Sequence, residues 1–359
     1  MSSRTMRKLQ CLKIITVPRR RGAGVRLALL AVWLACLAVA WPLAHRCGQA
    51  LLPPPPVLAL DHFRLNRNLK TYLDDIIIAI EPSSTVCSLR QRVELVVLVT
   101  SSPQRFLQRQ AVRSTWGRHV PTYFVIGVDG TSAADLTADN YVEAKSYSDM
   151  IVFTFQDHYQ NLTLKTALMM HWTATRCSEH LQELMLFKTD DDVLVNPWVL
   201  RRVLQEHPGN DLIGYSKVNS SLHRDAYNKW YLPRWLYRPD FVSEYLSGTG
   251  YLIRGSKLNE ILKAAFDVPI INLEDVYFTH IVSKVALGLT LSHDRRLSPY
   301  KPWLPLGCMY WGLASTHSLT PNEMLGAWPS VEALGEQYEL GNEPCRYFVD
   351  NIWSEMYLF

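Results

Sequence analysis

Several signatures that would settle the class of this protein are missing from its sequence. None of its seven cysteines forms a C-x-x-C pair, so a zinc site has little support, and no internal repeat is found. Acidic residues are absent from residues 1–26, which carry eight basic ones. Removing those eight charges from the net charge of +4 leaves the remainder near −4. This balance gives no support for nucleic-acid binding.

Charge is also absent from residues 27–44, an apolar run of 18 residues that is about long enough to cross a bilayer. Because the basic residues precede this run, the positive-inside rule predicts a cytosolic tail at 1–26, a single-pass signal-anchor at 27–44 and a lumenal remainder. A cleavable signal peptide is the alternative, since Ala38-Val39-Ala40 resembles a cleavage site. The long basic region and Trp41-Pro42 after that site favour an uncleaved anchor.

Residues 45–90 are predicted to form a stem, and residues 91–359 a lumenal globular domain. Four consecutive prolines at 53–56 favour an extended, stiff spacer, and a short helix is expected at about 69–80. In an oxidising lumen, the four cysteines beyond the spacer would form two disulfides. The sequence does not choose among the three possible pairings of Cys87, Cys177, Cys308 and Cys345.

Apolar runs and helical patterns alternate beyond the stem, as expected of an α/β domain. The alternation predicts a mainly parallel central sheet with right-handed crossovers. Strands are expected at 93–100, 123–128, 151–155 and 184–187, with one helix after the first strand and another at 162–177.

Three carboxylates, Asp190, Asp191 and Asp192, directly follow the apolar strand at 184–187. Ligands in open α/β sheets bind outside the carboxyl ends of such strands. Adjacent carboxylates repel one another, and their oxygens suit magnesium, manganese or calcium. An EF-hand loop is disfavoured, because its glycine is missing and residues 193–195 return to an apolar strand. A solvated acidic turn is the alternative.

Arginines recur every four residues after the first strand, at Arg105, Arg109 and Arg113, and therefore share one helix face. Guanidinium groups bind phosphate oxygens in bidentate geometry, so this face is a candidate anion site. A solvated helix face is the alternative. The position of the helix favours the anion site, since the acidic residues are expected at the same edge of the sheet.

Seven short motifs follow one another between about residues 91 and 325. They are R-x-x-x-R-x-T-W at 109–116, F-x-x-G at 124–127, E-x-x-x-Y-x-D-x-I at 143–151, N-L-T-L-K-T at 161–166, K-x-D-D-D-V at 188–193, G-x-G-Y at 248–251 and E-D-V at 274–276. Together they resemble the motifs of the β-1,3-galactosyltransferase and β-1,3-N-acetylglucosaminyltransferase family. Each motif alone is modest, and their shared order makes the resemblance specific.

The resemblance implies a GT-A nucleotide-sugar-binding fold and a type II enzyme of the Golgi membrane. It implies inverting transfer of a hexose, for which we expect galactose, from a UDP-sugar in β-1,3 linkage. The acceptor would be a glycan on a glycoprotein, a glycolipid or a proteoglycan. A catalytically silent membrane protein that binds glycans or escorts another transferase is the alternative. A broken acidic motif or a missing base would indicate that alternative. This sequence retains both the acidic motif and the candidate base.

By this resemblance, the acidic residues hold Mn²⁺, which would stabilise the leaving diphosphate as a Lewis acid. Asp192 and Asp190 are the expected ligands, and His317, in an element similar to the family's H-x-x-x-P-x-E-M-L, is a third. Asp275 is the expected base that removes the acceptor proton, with Glu274 second. The alternatives are a helix N-terminal acid pair stabilised by the helix dipole and a structural histidine.

Donor and acceptor residues are expected on either side of these groups. Sugar faces pack on aromatic rings, and glycine allows close approach of a ligand, as at Gly248 and Gly250. The predicted acceptor wall is therefore the aromatic stretch before Gly248, with Trp230, Tyr231, Trp235, Tyr237 and Tyr245. Ordinary core is the alternative for any single ring. Residues 237–245 depart from the family's shorter Y-P-x-Y stretch, which leaves the acceptor open. The expected donor residues are Arg109, Arg113, Lys188, Asp190 and Asp191, and the expected acceptor residues are Trp235, Gly248, Gly250 and Tyr251.

Two N-x-S/T sequons occur, at Asn161 and Asn219. Asn219 is expected to lie in a lumenal loop and to carry a glycan. Asn161 begins a predicted helix near the donor site, so we expect a structural role for it.

Overall fold

The computed structural model describes residues 23–51, 60–88 and 92–346, and the chain divides into two compact units between Pro55 and Pro56. The first unit contains helix α1 (Ala23–Leu51), along which apolar side chains such as Trp33 and Trp41 are exposed. Within the described ranges, no helix has both the length and the hydropathy that crossing a membrane requires. The signal-anchor at residues 27–44 stays a prediction.

The second unit is built from short helices and two sheets. Its α-helices are α2 (His62–Leu65), α3 (Leu69–Asp75), α4 (Phe106–Ser114), α5 (Ala138–Tyr147), α6 (Leu162–Arg176), α7 (Pro197–Glu206), α8 (Gly255–Asp267), α9 (Gly307–Trp311) and α10 (Pro321–Glu339), and a π-helix spans Val276–Ala286. Its strands are β1 (Ile78–Ile80), β2 (Leu95–Thr100), β3 (Thr122–Val128), β4 (Met150–Gln156), β5 (Met185–Asp190), β6 (Leu194–Val195), β7 (Leu212–Ser221), β8 (Phe241–Arg254), β9 (Leu291–His293), β10 (Leu297–Ser298) and β11 (Ser315–Thr316).

The main sheet is mixed rather than mainly parallel. Its eight strands lie in the order β1-β4-β3-β2-β5-β8-β7-β9. The central strands β4, β3, β2 and β5 are parallel, as predicted, whereas β1, β8 and β7 form antiparallel pairs on either side of them. A smaller sheet has the order β10-β11-β6.

Helices cover both faces of the main sheet, because its central strands are apolar on both sides. In β2, Val96 and Leu98 belong to one hydrophobic cluster and Val97 and Val99 to the other. Helices α6 and α8 pack on the first face, and α4, α7 and α10 on the second. This is the expected consequence of a continuous apolar run in a buried parallel strand.

One helix of the parallel half has no counterpart in the sequence prediction. Helix α5 connects β3 to β4, yet its Tyr141 and Val142 are exposed while Asn140 and Glu143 are buried. Because polar residues occupy its inner face, the apolar periodicity that usually identifies a helix is missing.

Residues 60–88 belong to the folded unit, so the predicted domain start at residue 91 is wrong. Phe63 and Leu69 are fully buried in the main core. Strand β1 pairs antiparallel with β4 at the sheet edge, which also ends the predicted helix at Asp75 instead of 80. The second unit begins at Pro56, within the predicted stem.

The structure selects one of the three cysteine pairings. Cys87 is bonded to Cys177 and Cys308 to Cys345. The first disulfide joins the N-terminal segment to the end of α6. The second joins α9 to the chain that follows α10, a region whose role the sequence does not indicate.

Candidate active site

The strand order reverses between β2 and β5, and the main cavity lies at this reversal. From β2 the chain adds β3 and β4 on one side, and it then returns to place β5 on the other side of β2. Open α/β sheets bind ligands at such a switch point. A cavity of about 620 Å³ is lined there by Thr100 and Ser101 after β2, and by the three aspartates at the end of β5.

The predicted metal ligands Asp190, Asp192 and His317 come together at the cavity. One ligand atom from each lies within 4.8 Å of the others, and His317 Nε2 is 3.5 Å from Asp192 Oδ1. The small sheet causes this proximity, since β11, which ends at Thr316, pairs antiparallel with β6 just after the aspartates. Two carboxylates and an imidazole form a donor set that suits a divalent cation.

Asp191, one of the predicted donor residues, lines the cavity, but its carboxylate is held by other side chains of the protein. It is almost fully buried, accepts a hydrogen bond from Ser101 Oγ at 2.7 Å and is bonded to Arg105 Nε at 2.8 Å. Burial raises the pKa of the Asp191 carboxyl, although Arg105 and Ser101 act in the opposite direction. Arg105 lines the cavity, and the sequence analysis did not place it among the donor residues.

The predicted donor residues Arg109 and Arg113 lie outside the cavity lining. Arg109 is fully buried and donates to Glu143 through Nε and Nη2 at 2.8 and 2.6 Å. Arg113 donates to Glu143 at 2.7 Å and to Asp149 at 2.7 and 2.8 Å. Because these bonds occupy both guanidinium groups, the prediction that they bind the donor is wrong. We call these four residues the arginine network.

Lys188 connects the metal side of the cavity to its opposite side. Its Nζ, almost fully buried, lies 2.9 Å from Asp190 Oδ1, 3.0 Å from Glu274 Oε1 and 2.6 Å from the carbonyl oxygen of Gly248. Burial disfavours the charged ammonium, but Asp190 and Glu274 outweigh it and hold the pKa of Lys188 above its ordinary value. Lys188 therefore orients the Asp190 and Glu274 carboxylates, and its predicted contact with the donor stays a prediction.

Glu274 and Asp275 line the cavity in different environments. Glu274 is buried and accepts a hydrogen bond from the Tyr251 hydroxyl at 2.8 Å, and burial raises its pKa to about 7. Asp275 is partly exposed and caps the π-helix, with Oδ1 accepting from the Val276 amide at 2.8 Å. Burial also raises the pKa of Asp275, against the hydrogen bonds that it accepts. For Asp275, a position at the N-terminus of a helix is therefore compatible with the predicted role as the base.

Gly248 approaches these carboxylates at a distance that only glycine permits. A Cβ on Gly248 would lie 2.8 Å from Glu274 Oε1, and the Gly248 amide donates to Asp275 Oδ2 at 3.0 Å. Gly248 also lines the cavity. The absence of a side chain there lets the carboxylates approach the backbone and leaves room for a ligand.

Three predicted acceptor residues do not face the cavity. Tyr251 is fully buried against Glu274, and Gly250 packs on the Phe187 ring, which lies 3.0 Å from the position of a Cβ. Trp235 packs elsewhere, with the Arg64 guanidinium 4.2 Å from its ring centre. Trp230 and Tyr245, two rings of the predicted acceptor wall, do line the cavity, together with Tyr159 and His223, which the prediction did not include.

Lys165 and Asp157 also belong to the cavity, and the sequence analysis gave them no role. Lys165 Nζ lies 2.7 and 2.9 Å from the two Asp157 oxygens, and both side chains are almost fully buried. The N-L-T-L-K-T motif contains Lys165 and was the available signal. The same ammonium also donates to the carbonyl oxygen of Ser101, another residue of the cavity lining.

The two sequon asparagines differ in exposure. Asn219 is exposed on β7, rather than in a loop, and its φ of 48° is a left-handed conformation that asparagine tolerates. Its glycosylation stays a prediction. Asn161 is buried and donates to the carbonyl oxygen of Gln156 at 3.0 Å, which agrees with a structural role.

We call Lys188, Asp190, Asp192, Glu274, Asp275 and His317 the cavity cluster. It places a cation-binding group and a carboxylate of raised pKa in one cavity. That combination allows a leaving phosphate to be neutralised while a proton is removed from an attacking hydroxyl.

Comparison with known proteins places this site in a family. The model described as Galactosyltransferase matches residues 107–292. Beta-1,3-galactosyltransferase 5 of Mus musculus is 31% identical over 68% of this chain and 80% of its own length. Beta-1,3-galactosyltransferase 1 of the same species is 32% identical over 67% of this chain and 74% of its own.

Solved structures superpose only loosely on the chain. A galactosyltransferase in complex with donor and acceptor sugar analogues covers 69% of this chain and 97% of its own, at a TM-score of 0.32 and 11% identity. Because the Galactosyltransferase model matches residues 107–292 and both relatives exceed 30% identity, this chain is a glycosyltransferase and belongs to the galactosyltransferase family.

Proposed function

We propose that the chain is an inverting β-1,3-galactosyltransferase that moves galactose from UDP-galactose to a glycan acceptor. One observation carries the proposal: the Asp190, Asp192 and His317 group and the Asp275 carboxylate line a single cavity at the switch point of the sheet. The similarity to beta-1,3-galactosyltransferases 5 and 1 of Mus musculus supports the sugar and the linkage.

A divalent cation, which we propose to be Mn²⁺, fits the residues present. Asp190, Asp192 and His317 would hold it through two carboxylates and an imidazole, ligands that manganese accepts. When bound, the ion supplies Lewis-acid stabilisation of the charge on the departing diphosphate. Arg105 and Lys188 add positive charge beside the aspartates, so the site balances part of its own acidity.

We assign to Asp275 the role of the base that removes the proton of the acceptor hydroxyl. Its partly exposed carboxylate would take that proton as the hydroxyl oxygen attacks the anomeric carbon. The new C–O bond forms on the face opposite the breaking bond to UDP, so the configuration inverts. Glu274 is a positioning residue, because Tyr251 and Lys188 occupy its oxygens.

We further propose that the fold is of GT-A type and that the enzyme is a type II protein of the Golgi membrane. The parallel centre of the sheet, with the acidic motif at its switch point, supports the fold type. The uncharged run at 27–44 and its basic flank support the anchor. Protease protection of intact vesicles would test the orientation, since a lumenal domain resists digestion until detergent is added.

The reaction is tested by measuring UDP release from several UDP-sugars by the purified full-length chain, with a panel of glycan acceptors. We expect UDP-galactose to give the highest rate, dependence on Mn²⁺, inhibition by EDTA and a β-1,3 linkage in the product by NMR. Transfer at the same rate in EDTA would remove the metal from the proposal, and preference for another UDP-sugar would change the donor.

A further inference from the structure

Two lysines stand apart from the other cations of the cavity. Arg105, Lys165 and Lys188 each form ion pairs with the cavity's acids. Lys217 and Lys229 also line the cavity, yet within the described ranges neither has a carboxylate within 4.0 Å. Among the residues that the structure describes, the cavity therefore presents two ammonium groups without a direct ion-pair partner.

Lys229 is held among aromatic rings at the cavity. Its Nζ lies 4.8 Å from the centre of the Trp230 ring and 5.8 Å from that of Tyr159. Both rings are more than a third exposed, so they offer apolar surface on which the face of a sugar can pack. The ammonium among them gains cation–π stabilisation.

Lys217 lies on the same side of the cavity as the proposed base. Strand register pairs it with Tyr245 of β8, another cavity residue, and its charge acts on the Asp275 carboxyl. The neighbouring acid on β8, Glu244, is occupied by Lys284 and by Ser216 Oγ. Strand β7 thus contributes Lys217 to the same cavity as the group proposed to receive the acceptor proton.

We propose that the acceptor is an acidic glycan, and that Lys217 and Lys229 bind a carboxylate or sulfate ester next to the sugar that receives galactose. Ammonium groups complement such anions, and the rings of Trp230 and Tyr159 complement the sugar that bears them. The inference rests on the proposed function, since Asp275 as base defines the acceptor side.

The test uses three synthetic disaccharides that offer the same hydroxyl: a neutral one, one with a uronic acid carboxylate and one with a sulfate ester. We expect kcat/KM and binding affinity to be about 5- to 10-fold higher for a charged disaccharide, the size of two partly screened ion pairs. The preference should shrink as ionic strength rises, because exposed charges are screened by salt. The two charged arms distinguish a carboxylate site from a sulfate site.

The double variant Lys217→Met with Lys229→Met should lose this preference for charged disaccharides. Lys145→Met is the matched control, because Lys145 lies 5.6 Å from the Tyr141 ring centre on α5, outside the cavity. An equal loss for neutral and charged acceptors together with a raised KM for UDP-galactose would assign the lysines to the donor diphosphate and overturn the proposal.

Affinity measured by calorimetry separates this inference from the proposed function. Preferential binding of a charged disaccharide without transfer to any acceptor would leave the acidic-glycan site standing and refute the galactosyltransferase reaction. Equal affinity and equal transfer for all three disaccharides would refute the acidic-glycan site and leave the reaction standing.

Discussion

The arginine network and the cavity cluster are both assembled from the short motifs of the sequence, and both bury charge. In the arginine network, every guanidinium of Arg109 and Arg113 is matched by a carboxylate of Glu143 or Asp149. In the cavity cluster, one ammonium, Lys188, lies among an excess of acids. The two regions differ in charge balance more than in residue type.

This difference in charge balance predicts that the arginine network contributes to stability and the cavity cluster to catalysis. A balanced buried network resists the loss of any member, because the remaining charge is left without a partner. An unbalanced cluster that opens to a cavity keeps carboxylate and imidazole atoms available for a cation or a proton. Mutations in the two regions should therefore affect different measurements.

The largest effect on activity is expected from Asp192→Ala. Loss of this proposed metal ligand should lower the transfer rate by about 10³-fold, the size of several kcal/mol of charge stabilisation. Metal-dependent UDP binding should weaken while the melting temperature stays close to that of the wild type. Asp267→Ala, an exposed acid at the end of α8, is the control. Normal activity in the Asp192 variant would exclude it as a ligand.

Arg109→Met should instead reduce stability. Removing one partner of a buried ion pair costs about 3–5 kcal/mol, since Glu143 keeps a charge that Arg109 no longer neutralises. Arg118→Met offers a control, because Arg118 is half-exposed in its pair with Glu332 and should cost less than about 1 kcal/mol. Urea denaturation measures both. A variant that unfolds like the wild type but no longer binds UDP would restore Arg109 to the donor site.

Asp275→Asn should lower the rate by about 10²-fold, the usual loss for a general base, with UDP binding retained. In the wild type, the acidic limb of kcat/KM should lie at a higher pH than for an ordinary aspartate, because burial raises the pKa of Asp275. The variant should lack that limb. If its rate equals that of the wild type, the base lies elsewhere, and Glu274 is the next residue to test.

The smallest expected effect is a change in how stability depends on pH. The folded pKa of Glu274, about 7, exceeds its ordinary 4.5, so its stabilising contribution is complete below pH 4.5 and is lost as the pH rises through 7. Glu274→Gln, which cannot ionise, should flatten the decline of the metal-free protein between pH 5 and 8.

Glu143 should show the opposite dependence. Burial works against its charge, but Arg109 and Arg113 outweigh burial and hold the pKa of Glu143 below its ordinary value. Its contribution is therefore present above pH 4.5 and is lost on acidification. Glu143→Gln should destabilise most at neutral pH, and its difference from wild type should narrow in acid. Parallel pH profiles for the two variants would contradict the contrast between the regions.

The sequence alone predicted the features that depend on local pattern. The acid-tipped strand, the parallel centre of the sheet and helix α6 follow from apolar runs and their spacing. His317 was placed with Asp190 and Asp192 only through the family resemblance, because no local pattern connects positions so far apart. The small sheet that joins them has strands of two residues, too short to leave a periodic signal.

The errors arose where the partner of a side chain decided its role. Arg105, Arg109 and Arg113 share a helix face, yet only Arg105 reaches the cavity, since the other two meet the polar inner face of α5. Gly250 and Tyr251 belong to the G-x-G-Y motif. The sequence did not show which positions of this motif face the cavity and which are buried. Such distinctions depend on the packing of elements distant in the chain.

The segment at 60–88 determines how the folded part can be produced in isolation. A fragment starting at residue 91 would leave the β4 edge unpaired, remove Phe63 and Leu69 from the core and deprive Cys177 of its disulfide partner. A fragment made for expression should therefore begin before Leu60. A failed preparation of the shorter fragment would reflect where it was cut rather than any defect in catalysis.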